Sequence, residues 1–292
     1  MNETPQTVAQ DGKDISATTA MPAGGWGIRG WLSSIYTKMC ESGGQLPVVS
    51  QPYLYSVAEG DIASHHLLRK LGRASAVSTS QIDVCGMNAV IPMIAAQMQM
   101  SLKSTSTDDD GNPAGTGVQT VDIEYLDNTY TERSETVTLN GTGWVDTTAT
   151  NIFRIQSLHT HAVGALGYAA GIITIVDKAT RAIVYDQIDA GYNRSFRCQW
   201  TVPTGKTAYI SAWGAGAASG AAKSGEFILK TMSRDGVLLS FFMGQDILQL
   251  QDGSQNKEMS SPIVVPATAS IKISVKGTGT LIASAFFAGW YE

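Results

Sequence analysis

Charge is the scarcest property of this chain. Asp, Glu, Lys and Arg together make up 15% of its 292 residues, whereas an average soluble domain has about 25%. The 20 basic and 25 acidic residues give a formal charge of −5, and no stripe of Lys or Arg offers the counterion-releasing surface that nucleic acids require. We therefore expect no nucleic-acid partner. Much of the surface must be uncharged and polar, or be covered by neighbouring subunits.

Cysteines and long apolar runs are also few. Cys40, Cys85 and Cys198 lie far apart without metal-type spacing, so we expect reduced thiols that pack as small hydrophobic residues, which fits assembly in a cytoplasm. The first twenty residues lack the basic start and apolar stretch of a secretory signal. The longest apolar run, 89–96, contains Pro92 and is far shorter than the roughly 20 residues of a membrane span. We expect a soluble protein with no membrane partner.

The N-terminal part divides into an arm and a helix. Residues 1–22 are polar, lack aromatic side chains and predict a disordered, flexible arm. Residues 23–45 predict an amphipathic anchor helix that ends at Gly43-Gly44. Its apolar face contains Ile28, Trp31, Leu32, Ile35, Tyr36 and Met39. This face either packs on the chain's own β-rich body or docks on another protein, and we take it as the candidate partner-binding site.

The remainder of the chain predicts a mainly β protein. Residues 46–84 read as a linker with a short helix at 61–71, and residues 85–292 as a β-sandwich body with room for two subdomains. Alternation of apolar and polar residues over 117–127 is typical of a half-buried strand. Similar segments recur to the end of the chain at intervals of roughly 8–14 residues, which indicates an antiparallel sandwich or jelly roll. Asn140-Gly141 predicts a hairpin turn.

Motifs that would carry chemistry are weak. Neither Gly205-Lys206-Thr207 nor the glycine-rich segment 214–225 satisfies the spacing of a phosphate-binding loop. His159 and His161 would share one face of a strand, and Asp108-Asp109-Asp110 places three carboxylates before the turn glycine Gly111, a pattern that suits calcium. Neither group has the remaining ligands of a full site, so His159, His161, Asp108 and Asp110 are only weak metal candidates. We expect no metal, no cofactor and no enzymatic activity.

A carbohydrate-binding module is the alternative of another class. Aromatic side chains that stack on sugars would have to be exposed, and the candidates are Trp144, Trp200, Trp213 and Tyr192. Lone aromatic residues in a sandwich are more often part of the core. A glycan-cleaving enzyme would need a pair of carboxylates brought together from separate strands, and no local motif indicates one.

Two long segments resemble a known group of proteins. TGVQTVDIEYLDNTYTERSETVTLNGTGWVDTTATNIFRIQSLHTHAVG (116–164) and YDQIDAGYNRSFRCQWTVPTGKTAYI (185–210) resemble a family of β-rich virion structural proteins of tailed phages and other aquatic viruses. GGWGIRGWLSSIYTKM (24–39) is similar to short helical segments near the start of other phage virion proteins. The sequence departs from the family pattern at Gly143-Trp144 and at His159-Thr160-His161.

The resemblance implies membership of a virus particle. We expect a capsid-surface decoration or head-spike protein, anchored by its N-terminal segment and assembled in the host cytoplasm as a homotrimer. The rival location is the tail or neck, as a fibre, adaptor or receptor-binding protein. The expected partners are other virion proteins, and a host surface glycan is a further candidate ligand.

Overall fold

The structure is a computed structural model that describes residues 53–219, 223–232 and 242–292. The predicted arm and anchor helix, together with all six residues of the apolar helix face, lie outside the described residues. Among the residues that are described, no helix has the length and hydrophobicity needed to span a bilayer.

The described chain is mainly β, with antiparallel strand pairing and one helix, α1 (Tyr53–Glu59). The predicted fold class is therefore confirmed. The strands in chain order are β1 (His66–Val77), β2 (Ile82–Asp83), β3 (Met100–Ser104), β4 (Val118–Asp127), β5 (Glu132–Thr138), β6 (Val145–Asp146), β7 (Ile152–Val163), β8 (Ile173–Asp177), β9 (Val184–Ile188), β10 (Gln199–Thr201), β11 (Ala208–Ala218), β12 (Gly225–Met232), β13 (Phe242–Leu250), β14 (Gly253–Val265), β15 (Ser270–Gly277) and β16 (Leu281–Tyr291).

The first and last parts of the described chain build one sandwich, here called sandwich A. One of its sheets has the order β1-β16-β11-β14, and the other has the order β10-β15-β12-β13 with β2 paired to β15. Apolar side chains from both sheets fill the space between them, with Trp213, Phe227 and Phe287 as the largest fully buried members. Burial of this apolar surface is the main stabilising contribution.

Sandwich B is formed by β3 to β9 and is inserted between β2 and β10. Its sheets have the orders β6-β3-β8-β9 and β5-β4-β7. A separate apolar core lies between them and includes Leu102, Ile123, Leu158 and Ile173, which are all fully buried. The two sandwiches thus have two distinct hydrophobic cores.

Close backbone approach in sandwich A explains one glycine of β1. A Cβ atom on Gly72 would lie 2.1 Å from the carbonyl oxygen of Val84 and 2.6 Å from Cβ of Cys198. Only glycine fits where the chain after β2 crosses so near to β1. Cys85 and Cys198 are buried free thiols, as predicted, and burial raises the pKa of the Cys85 thiol to about 11.

The helix predicted at 61–71 is wrong. The short helix is α1, and residues 66–77 form β1, which pairs along most of its length with the C-terminal strand β16. Strand β1 has apolar residues on both faces. Its sequence therefore lacks the alternation that identifies a strand, and the spacing of its apolar residues is similar to that of a helix. The β-rich body accordingly begins before residue 85, and His66 starts a strand.

The turn predicted at Asn140-Gly141 is present, but it does not close a hairpin. Gly141 has a φ of 52°, in the left-handed region that an Asn-Gly turn uses. The strands on either side belong to different sheets of sandwich B, because β5 pairs with β4 whereas β6 pairs with β3. The turn carries the chain from one sheet to the other.

Candidate interaction surface

One sheet of sandwich A has apolar side chains on both faces. Its inner face covers the core, and its outer face, here called the open face, is turned away from that core. Residues paired across the strands form four rows on the open face, each read from β1 through β16 and β11 to β14: Leu67–Trp290–Tyr209–Val264, Arg69–Ala288–Ala212–Glu258, Leu71–Phe286–Gly214–Asn256 and Arg73–Ser284–Gly216–Ser254. An antiparallel sheet that faces water on one side normally has polar residues there.

The first row is wholly apolar and largely uncovered. Leu67 at one edge is 48% exposed and Val264 at the other edge is 59% exposed. Between them the rings of Trp290 and Tyr209 stack with centroids 5.1 Å apart and an interplanar angle of 12°. Tyr53 of α1 adds an edge contact to Trp290 at 4.7 Å. The row therefore presents a continuous aromatic and aliphatic strip.

The central part of the open face is flat. Ala288, Ala212 and Gly216 have side chains of one carbon or none, and the ring of Phe286 lies over Gly214, where a Cβ atom would be only 2.7 Å from it. Small residues let another surface approach the backbone closely. The open face thus combines apolar character with a low relief, as expected of a packing surface.

Charge on the open face is confined to its edges. Arg69 and Arg73 lie on the β1 edge, and Glu258 lies on the β14 edge in the same row as Arg69. All four rows contain no other charged residue. Within the described ranges, neither Arg69 nor Glu258 takes part in an ion pair. The two edges therefore carry opposite charges that are not paired with each other or with another described residue.

A cleft of about 620 Å³ lies where β1 of sandwich A meets β4 and β5 of sandwich B. Lys70 lines it and donates from Nζ to the backbone oxygen of Gln156 at 3.0 Å, joining the two sandwiches. Burial lowers the pKa of the Lys70 amine to about 8. The hydroxyl of Tyr291 is 3.5 Å from Oε1 of Glu132 across the same cleft. These polar groups connect the two sandwiches, so we interpret the cleft as part of the contact between them.

The two histidines predicted to share a strand face do so. His159 Nε2 lies 3.4 Å and His161 Nδ1 lies 2.9 Å from Oδ2 of Asp122 on the neighbouring strand β4. Burial alone would raise the pKa of Asp122, but hydrogen bonds from Thr136 and His161 bring it below its usual value. The described residues include no group of three or more His, Cys, Asp or Glu that could hold a metal ion. Asp122 accepts a hydrogen bond from Thr136 and lies beside both histidines on a partly exposed sheet.

The aspartates at 108–110 point in different directions. Asp108 is exposed, and Asp110 accepts a hydrogen bond from its own turn at the backbone nitrogen of Asn112, 2.8 Å away. Asp109 between them is fully buried. Its carboxylate accepts hydrogen bonds from the backbone nitrogens of Val118, Ala170 and Gly171 and from the hydroxyl of Ser104. Asp109 thus holds three segments together, a buried role that the sequence, which groups it with Asp108 and Asp110 as a calcium-type loop, did not predict.

Most of the aromatic residues considered for sugar stacking are not free to stack. Trp213 is fully buried and Trp200 is 4% exposed, so both belong to the core of sandwich A. Lys103 and Arg181 approach the ring of Trp144 at 4.5 and 5.1 Å. The ring of Tyr192 packs edge-on against Phe196. Of the four, Trp144 and Tyr192 are half-buried and keep part of the ring exposed beside these contacts.

Comparison with protein-family models and with curated proteins found no match. Among solved structures, one that resembles this chain weakly is described as the structure of infectious bursal disease virus Gx strain. The two are 10% identical over 82% of this chain and 77% of that chain, with a TM-score of 0.15. This TM-score is too low to establish a common fold.

Proposed function

We propose that this protein is a non-catalytic structural component of a virus particle, specifically a capsid-surface decoration or head-spike protein. The observation that carries the proposal is the open face. One sheet of sandwich A has an exposed apolar strip on its outer side, and exposed apolar surface of this kind is typical of subunits that pack against a partner.

The low charge of the chain supports the same role. Subunits that hide much of their surface against neighbours need fewer charged residues for solubility. The resemblance of residues 116–164 and 185–210 to β-rich virion proteins supports it further. These segments contain β4 to β7 and β10, most of β9 and the start of β11.

Several buried or half-buried carboxylates of the described chain have partners within it. Asp109 holds backbone nitrogens, and Asp122 accepts from Thr136 and lies beside the two histidines. Asp83 and Lys272 form a buried ion pair at 2.9 Å, and Ser274 donates to the same carboxylate. These engagements support a scaffold role over a catalytic one.

The N-terminal segment is the proposed anchor to the particle, with other virion proteins as partners. The test is the double variant Trp31→Ala with Ile35→Ala, which removes two large side chains from the apolar face of the predicted helix. We expect particles to lose the variant protein while its β-rich body stays folded. Ser34→Ala with Thr37→Ala, on the opposite helix face, is the matched control and should be retained. Normal occupancy of the Trp31 and Ile35 variant would rule out this anchor.

The number of copies per particle separates the head from the tail or neck. A decoration protein repeats with the capsid lattice and reaches high copy number, whereas a fibre, adaptor or receptor-binding protein is present in few copies. Quantitative mass spectrometry of purified particles against the major capsid protein distinguishes the two locations. Few copies would move the protein to the tail or neck and retain the structural role.

A further inference from the structure

We propose that the open face of sandwich A binds the open face of a second copy of this chain, related by a twofold axis. The axis lies in the plane of the interface and runs parallel to the strands. This inference deepens the proposed function because it names the occupant of the open face, and it is tested in solution without particles.

The strand order and register of the sheet determine which residues face each other across this twofold axis. The axis runs between β16 and β11, so a rotation of 180° about it places β1 of one copy opposite β14 of the other, in the same row. Leu67 then meets Val264 of the second copy, and Trp290 meets Tyr209 of the second copy. The exposed ends of the apolar strip thereby cover each other, and every contact occurs twice, as in any isologous interface.

The charges at the two edges of the open face favour a second copy of the chain as the partner, and they favour this orientation of it. Arg69 and Glu258 stand in one row, on opposite edges, and neither forms an ion pair with the described residues of its own chain. The twofold rotation places Arg69 of each copy opposite Glu258 of the other, so both charges are satisfied. A rotation about an axis perpendicular to the strands in the same plane would put like edges together, with Arg69 and Arg73 facing the β1 edge of the second copy.

The shape of the face suits a sheet-on-sheet contact. The small residues at the centre of the second row, Ala288 and Ala212, and of the fourth row, Ser284 and Gly216, allow two such faces to approach to about 10 Å, the usual separation of packed sheets. The proposed pairing gives a dimer, whereas the homotrimer expected from the sequence stays an untested prediction.

The experiment measures the dissociation constant of the full-length protein by sedimentation velocity over a range of concentrations. Arg69→Glu and Glu258→Arg are made separately. Each single variant brings two like charges together twice in the dimer, so each should raise the dissociation constant at least about tenfold. Arg73→Glu lies on the same edge but opposite Ser254 of the second copy, and it should change the constant less than about twofold.

A mixture of the two single variants tests the proposed pairing most directly. In a mixture of the Arg69→Glu and Glu258→Arg proteins, each pair again joins opposite charges, so a heterodimer of near wild-type affinity should form. The chain carrying both changes should likewise recover its dimer, and near-ultraviolet circular dichroism should show that all variants keep the native fold. A wild-type protein that is monomeric or trimeric, or single variants that do not complement each other, would overturn the pairing. Such a failure leaves particle membership untouched, because incorporation into particles is measured separately.

Discussion

Replacing Asp109 by Ala should destabilise sandwich B severely. The carboxylate accepts hydrogen bonds from the backbone nitrogens of Val118 at 2.8 Å, Ala170 at 2.9 Å and Gly171 at 2.8 Å. All of this lies in a site where Asp109 has no exposure to solvent. Each buried nitrogen left without an acceptor costs about 1–3 kcal/mol. Three such groups give a loss of roughly 3–9 kcal/mol, a large share of the roughly 5–15 kcal/mol that stabilises a typical domain.

The measurement is urea unfolding near neutral pH, followed by circular dichroism. Asp108→Ala is the matched control, because it removes the same group from the adjacent, exposed position and should change the unfolding free energy by less than about 0.5 kcal/mol. If Asp109→Ala loses less than about 1 kcal/mol, or no more than the control, the hydrogen bonds assigned to its carboxylate do not hold the three segments together.

Two further predictions concern single residues. Gly72→Ala should lower the unfolding free energy by about 1–3 kcal/mol or more, because its new Cβ would lie 2.1 Å from the Val84 oxygen. The control is Ala76→Ser at an exposed position, and an equal loss of unfolding free energy in both variants would contradict the close approach. Hydrogen bonds from Thr180, opposed by a smaller burial effect, hold the pKa of Asp177 at about 2, below its ordinary 3.8. The stability that this carboxylate contributes should be complete above about pH 4 and be lost as pH falls towards 2. The unfolding free energy of Asp177→Asn should therefore be lower than that of the wild type near neutral pH and approach the wild-type value in acid. A difference in unfolding free energy that does not depend on pH would refute the assignment.

The β class of the protein could be predicted because most of its strands have one buried face. In β4, the buried residues Val121, Ile123 and Tyr125 alternate with half-buried or exposed polar ones, which is the period of two that identifies a strand. Strands β7, β11, β12, β15 and β16 lie among the recurring segments in which the sequence indicated strands.

Two strands of sandwich A could not be predicted, for opposite reasons. In β1, Leu68 faces the core while Leu67 and Leu71 lie on the open face, so apolar residues on both sides hide the alternation. In β14, most residues from Gly253 to Ser261 are exposed, since the strand forms an edge of its sheet and neither face is fully covered. The loss of the signal in β1 is itself a consequence of the open face.

The candidate interaction surface depends on pairing between distant segments. Arg69 and Glu258 share a row only because β1, β16, β11 and β14 are adjacent in that register. The same holds for Asp122, which meets His159 and His161 across a strand pair. Sequence spacing could place the two histidines on one face, but it contains no information on which residue stands opposite.

The central claim is that this protein is a structural part of a virus particle. Its most direct test is mass spectrometry and immunogold labelling of particles purified to constant density from the host that produces the protein. We predict that the protein bands with the particles in multiple copies and that antibodies against the β-rich body label intact particles. Recovery of the protein only in the soluble fraction, with none in purified particles, would contradict the claim.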